Sequence, residues 1–172
     1  TPSLIELMAN GGFEADEGWT IPVTRYTAAY TEQAAHAGKQ SMRLGITRLA
    51  DNRYSYSPVR QGVTIPEDAE RALLSFWLLP RSGEPARLER PARPLARTVE
   101  QADLGGDVQY VLILNERDVW IDTLIWQRRN ESGWIYHQFD LTRYAGWTIK
   151  VHWGVYNDGA GAVSSMHLDD VS

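Results

Sequence analysis

Hydrophobic and polar positions alternate in short runs along this chain and seldom recur at the three-to-four-residue spacing of a helix. Runs rich in Val, Ile, Trp and Tyr lie between turn clusters. They predict strands near 4–8, 20–30, 41–47, 53–57, 61–65, 72–80, 107–115, 119–127, 134–139, 147–156 and 163–171. The breaks carry turn residues, among them Asn10-Gly11-Gly12, Ala37-Gly38, Ile65-Pro66-Glu67-Asp68, Asn115-Glu116-Arg117-Asp118 and Asn157-Asp158-Gly159. The best helical candidate is the Ala-rich stretch Tyr26 to Ala37, in which Tyr and Thr residues weaken the helical pattern. The succession predicts an all-β chain of the sandwich or barrel kind.

Neighbours in a strand point to opposite faces, so each run sorts its aromatic residues. Trp153 shares a face with Ile149, Val151 and Val155, which is a core face, and Lys150, His152 and Tyr156 then face outward. Trp77 goes with Ser75 and Leu79, opposite Leu74, Phe76 and Leu78. Trp134 and Tyr136 oppose Ile135, His137 and Phe139. Trp77, Tyr110, Trp134 and Tyr136 are therefore candidates to line a sheet face, with Gln109, Gln138 and His152 as polar neighbours. Two readings follow. Such rings either cover a second layer as core, or stack against sugar rings while amides and hydroxyls hydrogen-bond at the rim.

From Pro80 to Gly106 the alternation stops. Pro80, Pro85, Pro91 and Pro94 are interspersed with Arg81, Arg87, Arg90, Arg93 and Arg97. Repeated Pro removes ladder donors, so 80–106 reads as a long surface loop inserted between strands, either solvated or a basic flap beside a binding face. No internal repeat and no second hydrophobic core are evident, which predicts one domain over 1–172.

The 172 residues have ordinary globular proportions, 43% hydrophobic and 23% charged. A net charge of −5 disfavours nucleic acid as a partner. No run approaches the roughly 18 apolar residues of a membrane helix, so no membrane insertion is expected. Cysteine is absent, which excludes disulfides, Cys-zinc sites and thiol nucleophiles. The four His form no metal-binding pair, and no strained-serine elbow or phosphate-binding glycine loop occurs. Without a recognisable nucleophile–base or catalytic metal constellation, the chain is not expected to be an enzyme. It starts at Thr1 rather than Met and closes on strand-like residues, the pattern of a module processed or cut from a longer protein.

Glu14 lies near one end of the chain, and Asp169 and Asp170 near the other. A hard cation such as calcium takes several oxygens, commonly a few carboxylates with carbonyls completing the shell. If the first and last strands of a sandwich lie side by side, Glu14 and Asp169 meet, with the Gly38–Ser41 turn near enough to supply carbonyls. The other reading is two ordinary surface carboxylates.

The opening Asn10-Gly11-Gly12-Phe13-Glu14 with Trp19, the run Ala72-Leu73-Leu74-Ser75-Phe76-Trp77 and Gly133-Trp134 leading to Phe139-Asp140-Leu141-Thr142 belong to one ordered set. Ala145-Gly146 and the closing Leu168-Asp169-Asp170-Val171-Ser172 complete it. In order and spacing the set resembles CenC-type carbohydrate-binding modules of the family 4/9/22 group. The resemblance covers nearly the whole chain outside 80–106. It implies a two-sheet antiparallel jelly-roll β-sandwich, galactose-binding-like, interrupted by the Pro/Arg-rich loop. It implies a structural calcium ion (Ca2+) with Glu14 and Asp169 as side-chain ligands. It further implies an extracellular or cell-surface bacterial protein in which this module adjoins neighbouring domains of a larger chain. The expected function is non-catalytic binding of a polysaccharide or other glycan. The competing expectation is a structural or protein-interaction sandwich with no glycan ligand, since a fold carries no function by itself.

Overall fold

The computed structural model describes residues 3–172; residues 1 and 2 of the expected module 1–172 lie outside the described residues. The strands are β1 (Ala29–Thr31), β2 (Ser41–Gly45), β3 (Tyr54–Tyr56), β4 (Val59–Thr64), β5 (Leu73–Ser82), β6 (Val108–Asn115), β7 (Trp120–Gln127), β8 (Ile135–Asp140), β9 (Thr148–Asp158) and β10 (Ser164–Asp169). They pair into two antiparallel sheets. The first runs β1-β2-β10-β5-β8. The second runs β3-β9-β6-β7, and β4 continues along the β9 edge where β3 stops. The predicted jelly-roll sandwich is the observed fold.

Inward residues of the two sheets make the main core. Met42, Leu44, Phe76, Leu78, Met166 and Leu168 of the first sheet meet Val111, Ile113, Val151, Trp153 and Val155 of the second. Trp153 is fully buried, edge-on to both Phe76 and Trp19, as its alternation requires. Burying such rings gives the sandwich much of its hydrophobic stabilisation. The ends of the chain meet beneath it. Val171 N–H donates to the Gly11 carbonyl at 2.9 Å, and a side chain at Gly11 would strike that same Val171 main chain.

Three expectations fail locally. No α-helix forms among the described residues, and Tyr26–Ala37 instead carries β1 and a series of turns. There Ala28 is drawn into the core and Ala29 pairs with Arg43, so tertiary pairing overrides the Ala-rich propensity. Residues 4–8 are apolar except for Glu6 but meet no partner strand, and Leu4 and Ile5 stay in solvent. Of 20–30, only the Thr20–Arg60 bridge and the start of β1 pair.

The segment 80–106 departs furthest from its sequence reading. Pro80 lies inside β5, paired in register with Met166. A strand residue turns its N and C=O to the same side, and the Pro80 carbonyl accepts from Glu131 N–H beyond the start of β8. The donor that proline lacks is therefore not needed for a ladder. Farther on, Val99 and Leu104 are buried with Val108, Tyr110, Leu112, Leu114, Trp120 and Trp126. This is a second hydrophobic cluster, on the outer face of the second sheet, which the sequence did not lead us to expect. The basic residues act as struts. The Arg87 guanidinium donates to the Leu104 carbonyl (2.7 Å) and that of Arg90 to the Thr123 carbonyl (2.9 Å). The loop is a roof.

Candidate functional site

The seven residues singled out as ligand contacts divide between two sheets. Trp77 of β5 stands directly opposite Tyr136 of β8, with ring centroids 5.3 Å apart, and Ser75 stands opposite Gln138. Trp134 precedes β8 and joins them through His36, which the sequence reading did not include. His36 stacks on Trp77 at 3.9 Å, nearly parallel, and meets Trp134 edge-on at 5.8 Å. Nothing in the local sequence marks His36 for this place. It arrives because the turn after β1 folds back against β10. The outer face of the first sheet thus carries a connected row, Trp134–His36–Trp77–Tyr136, with Gln138 beside it. Tyr136 is 48% exposed and Gln138 is exposed, while Trp77 and Trp134 are half-buried. One face of the Trp77 indole is taken by His36, so Tyr136 and Trp134 offer the accessible ring surface.

Below this row lies His167, opposite Arg43 on one side and Leu79 on the other. It is buried, and neither ring nitrogen has a partner among the described residues. Burial, then Arg43 and Arg81, push its pKa down to about 4, so the ring is neutral at pH 7.

Tyr110, Gln109 and His152 do not join the row. Gln109 is fully buried between the sheets. Its amide N–H groups reach the carbonyls of Arg81, Arg129 and Ser165 at 3.0–3.1 Å, and its oxygen accepts from Arg129 N–H at 2.9 Å. It braces one sheet against the other. Tyr110 lies fully buried under the roof, its ring resting where Gly154 lacks a side chain. Its hydroxyl has no partner among the described residues, and burial pushes its pKa well up. His152 is 2% exposed with Nδ1 unpartnered, and burial, then Arg60, push its pKa down to about 3. A pocket of about 190 Å³ survives at this edge of the roof, lined in part by Arg60, Glu100, Asp118 and His152.

Glu14 and Asp169 converge on one turn from two sides. Glu14 accepts from the main-chain N–H groups of Lys39 (2.9 Å) and Gln40 (3.0 Å). Asp169 accepts from those of His36 (2.8 Å), Ala37 (3.2 Å) and Asp170 (2.8 Å). Gly38, at φ +67°, lies against the Glu14 carboxylate and leaves no room for a side chain. Next door, Asp170 pairs with His36 Nδ1 at 2.6 Å. Burial holds the Asp169 carboxyl above the ordinary carboxylate range despite its hydrogen bonds. Three carboxylates, Glu14, Asp169 and Asp170, thus gather at this turn, two of them held by main-chain N–H donors and the third by His36. Among the described residues no three His, Asp or Glu groups converge tightly enough to hold a metal alone, so a cation here needs main-chain oxygens for the rest of its shell.

No family model matches the sequence, and no curated protein matches it. Solved structures do match in fold. TmCBM61, solved in complex with β-1,4-galactotriose, superposes with a TM-score of 0.62 at 13% identity, covering 97% of each chain. The CBM22-1 xylan-binding domain of Xyn10C from Paenibacillus barcinonensis gives 0.52 at 14% identity, covering 94% of this chain and 88% of that one. The enzymatically active domain of tailspike protein 4 from bacteriophage CBA120 gives 0.54 at 11% identity, covering 95% of this chain but 20% of that one. At such low identity the likeness is one of architecture: the chain has the jelly-roll sandwich fold found in carbohydrate-binding modules.

Proposed function

We propose that the protein is a non-catalytic glycan-binding module whose platform is the outer face of the first sheet, centred on Trp134 and Tyr136. One observation carries this reading. The roof seals the aromatic face of the second sheet, whereas the first sheet keeps a row of accessible rings beside the exposed Gln138 amide. Flat rings take the apolar C–H faces of sugars, and an amide at the edge both donates to and accepts from hydroxyls. The galactotriose complex and the xylan-binding domain on the same fold support the ligand class. The tailspike match, in which this fold is a fifth of a longer chain, supports membership in a larger protein, which we take to be secreted or on the cell surface. Among the described residues no helix is long and apolar enough to cross a membrane.

Binding is tested by screening plant, microbial and host glycans. Trp134→Ala and Tyr136→Ala are each expected to weaken the best ligand by tenfold or more, roughly the 1–3 kcal/mol of a stacked ring, while leaving the thermal melt nearly unchanged. Unaltered affinity in both variants would remove the platform. Silence across the panel would favour the protein-contact reading, which the use of a whole sheet face as internal packing supports.

We also propose that Glu14 and Asp169 hold a structural calcium ion at the turn joining the chain's two ends. A ligand that binds only the folded state raises its stability. Calcium is therefore expected to raise the melting temperature, chelator to lower it, and Asp169→Ala to erase the difference between the two. A wild-type melt indifferent to chelator would rule the ion out.

A further inference from the structure

At one end of the second sheet a groove of about 390 Å³ opens between the β6–β7 hairpin and the start of β9, lined by Asn115, Glu116, Arg117, Gly146, Trp147 and Thr148. We propose that it is a second saccharide-binding site, separate from the row on the first sheet. This rests on the glycan-binding reading above.

Trp147 is 52% exposed, whereas the other six Trp are buried or half-buried. A single exposed indole is ordinary on a protein surface. This one is not a loose surface residue. Its carbonyl accepts from Ile65 N–H (3.0 Å), its N–H donates to the Tyr144 carbonyl (2.9 Å), and Gly146 N–H donates to the Ile65 carbonyl (2.8 Å). Gly146 sits at φ +84°, a conformation that disfavours any residue with a side chain. The Tyr144 ring supports the indole edge-on at 5.7 Å. Main chain and support together fix the Trp147 ring before any ligand arrives, which lowers the ordering cost of binding.

The opposite wall is equally fixed. Asn115 Oδ1 accepts from the N–H groups of Arg117 (2.9 Å) and Val119 (3.0 Å), which locks the hairpin. Glu116 and Arg117 are exposed, and their side chains make no hydrogen bond or salt bridge among the described residues. A flat indole with a free carboxylate and a free guanidinium across from it suits a pyranose. The ring's C–H face lies on the indole, and adjacent hydroxyls donate to Glu116 and accept from Arg117. The volume falls at the low end of small-molecule sites, which suits a short saccharide better than a protein loop.

Two sites on one module bind a polymer more tightly than either alone. The test is calorimetric titration with β-1,4-galactotriose and with a short β-1,4-xylan oligosaccharide, on wild type, Trp147→Ala, Arg117→Ala and Trp134→Ala, each checked by thermal melt. The expected result is two sites per chain for at least one sugar, one site in Trp147→Ala, and weakened binding at that site in Arg117→Ala. In Trp134→Ala the Trp147 site is expected to remain. One site in wild type, lost in Trp134→Ala and indifferent to Trp147→Ala and Arg117→Ala, would overturn this inference and leave the platform reading standing. No binding of either sugar would overturn this inference, while the platform reading is decided by the wider glycan screen.

Discussion

Tyr110→Ala should destabilise the protein by about 3–5 kcal/mol, the usual cost of removing a large ring from a packed core, and a urea melt should show it. The ring is fully buried among Val99, Leu104, Leu112 and Trp126 and fills the space above Gly154. Deleting it leaves a cavity between roof and sheet, so the loss combines ring burial with an unfilled void. Tyr110→Phe is the matched control. It removes only a buried hydroxyl that has no partner among the described residues, so stability should hold or rise. Glycan affinity in Tyr110→Phe should equal wild type. A large loss of affinity in the Phe variant would place the ligand under the roof instead of on the opposite sheet.

The second large effect is one of pH. Asp107 is 1% exposed, and burial outweighs its hydrogen bonds from Asp158 N–H (2.9 Å) and the Ser164 hydroxyl (2.8 Å), raising its pKa to about 6. The nearby Asp158 carboxylate pushes in the same direction. An Asp in the unfolded chain titrates near 4. Below that value the group is protonated in both states and costs nothing. As pH rises from about 4 to 6 the unfolded chain ionises first, so stability falls across this window and levels off above it. Asp107→Asn should remove this fall and raise stability near pH 7 relative to wild type. The check is the difference between the two proteins' unfolding free energies at pH 4 and pH 7. A difference independent of pH would refute the buried-acid account.

The sequence made much of this fold legible, and the failures share a cause. Period-two alternation located the long paired strands and put Trp153 inside and Trp77 and Tyr136 outside, because register is fixed wherever one face is buried. The short apolar run 4–8 reads as a strand, since composition reports what a segment can do but not whether a neighbour exists to pair with it. The Pro- and Arg-rich character of 80–106 signalled a loop, yet Val99 and Leu104 are the residues that decide its position. Two isolated apolar residues in a polar stretch carry no periodic signal. Tyr110 and His152 faced outward as alternation required, but outward on the second sheet means under the roof. Glu14 and Asp169 reach the same 36–40 turn, a proximity expected from adjoining first and last strands, although Glu14 lies outside any strand. His36 was not legible, because a stack between a turn and a distant strand leaves no trace in local spacing. Trp147 was likewise missed, because the expected strand 147–156 gives it the parity of the core residues Ile149, Val151 and Trp153, whereas β9 starts at Thr148 and the indole stays in solvent.

The seven Trp residues report on both faces at once, and their indole N–H signals separate the alternatives. The decisive measurement is a proton–nitrogen correlation spectrum of the labelled protein, titrated with the tightest-binding oligosaccharide from the glycan screen. The account predicts that Trp134 and Trp77 shift on titration while Trp120 and Trp126, packed under the roof, stay in place. Movement of Trp120 and Trp126 with Trp77 and Trp134 unmoved would contradict it and return the ligand to the covered face.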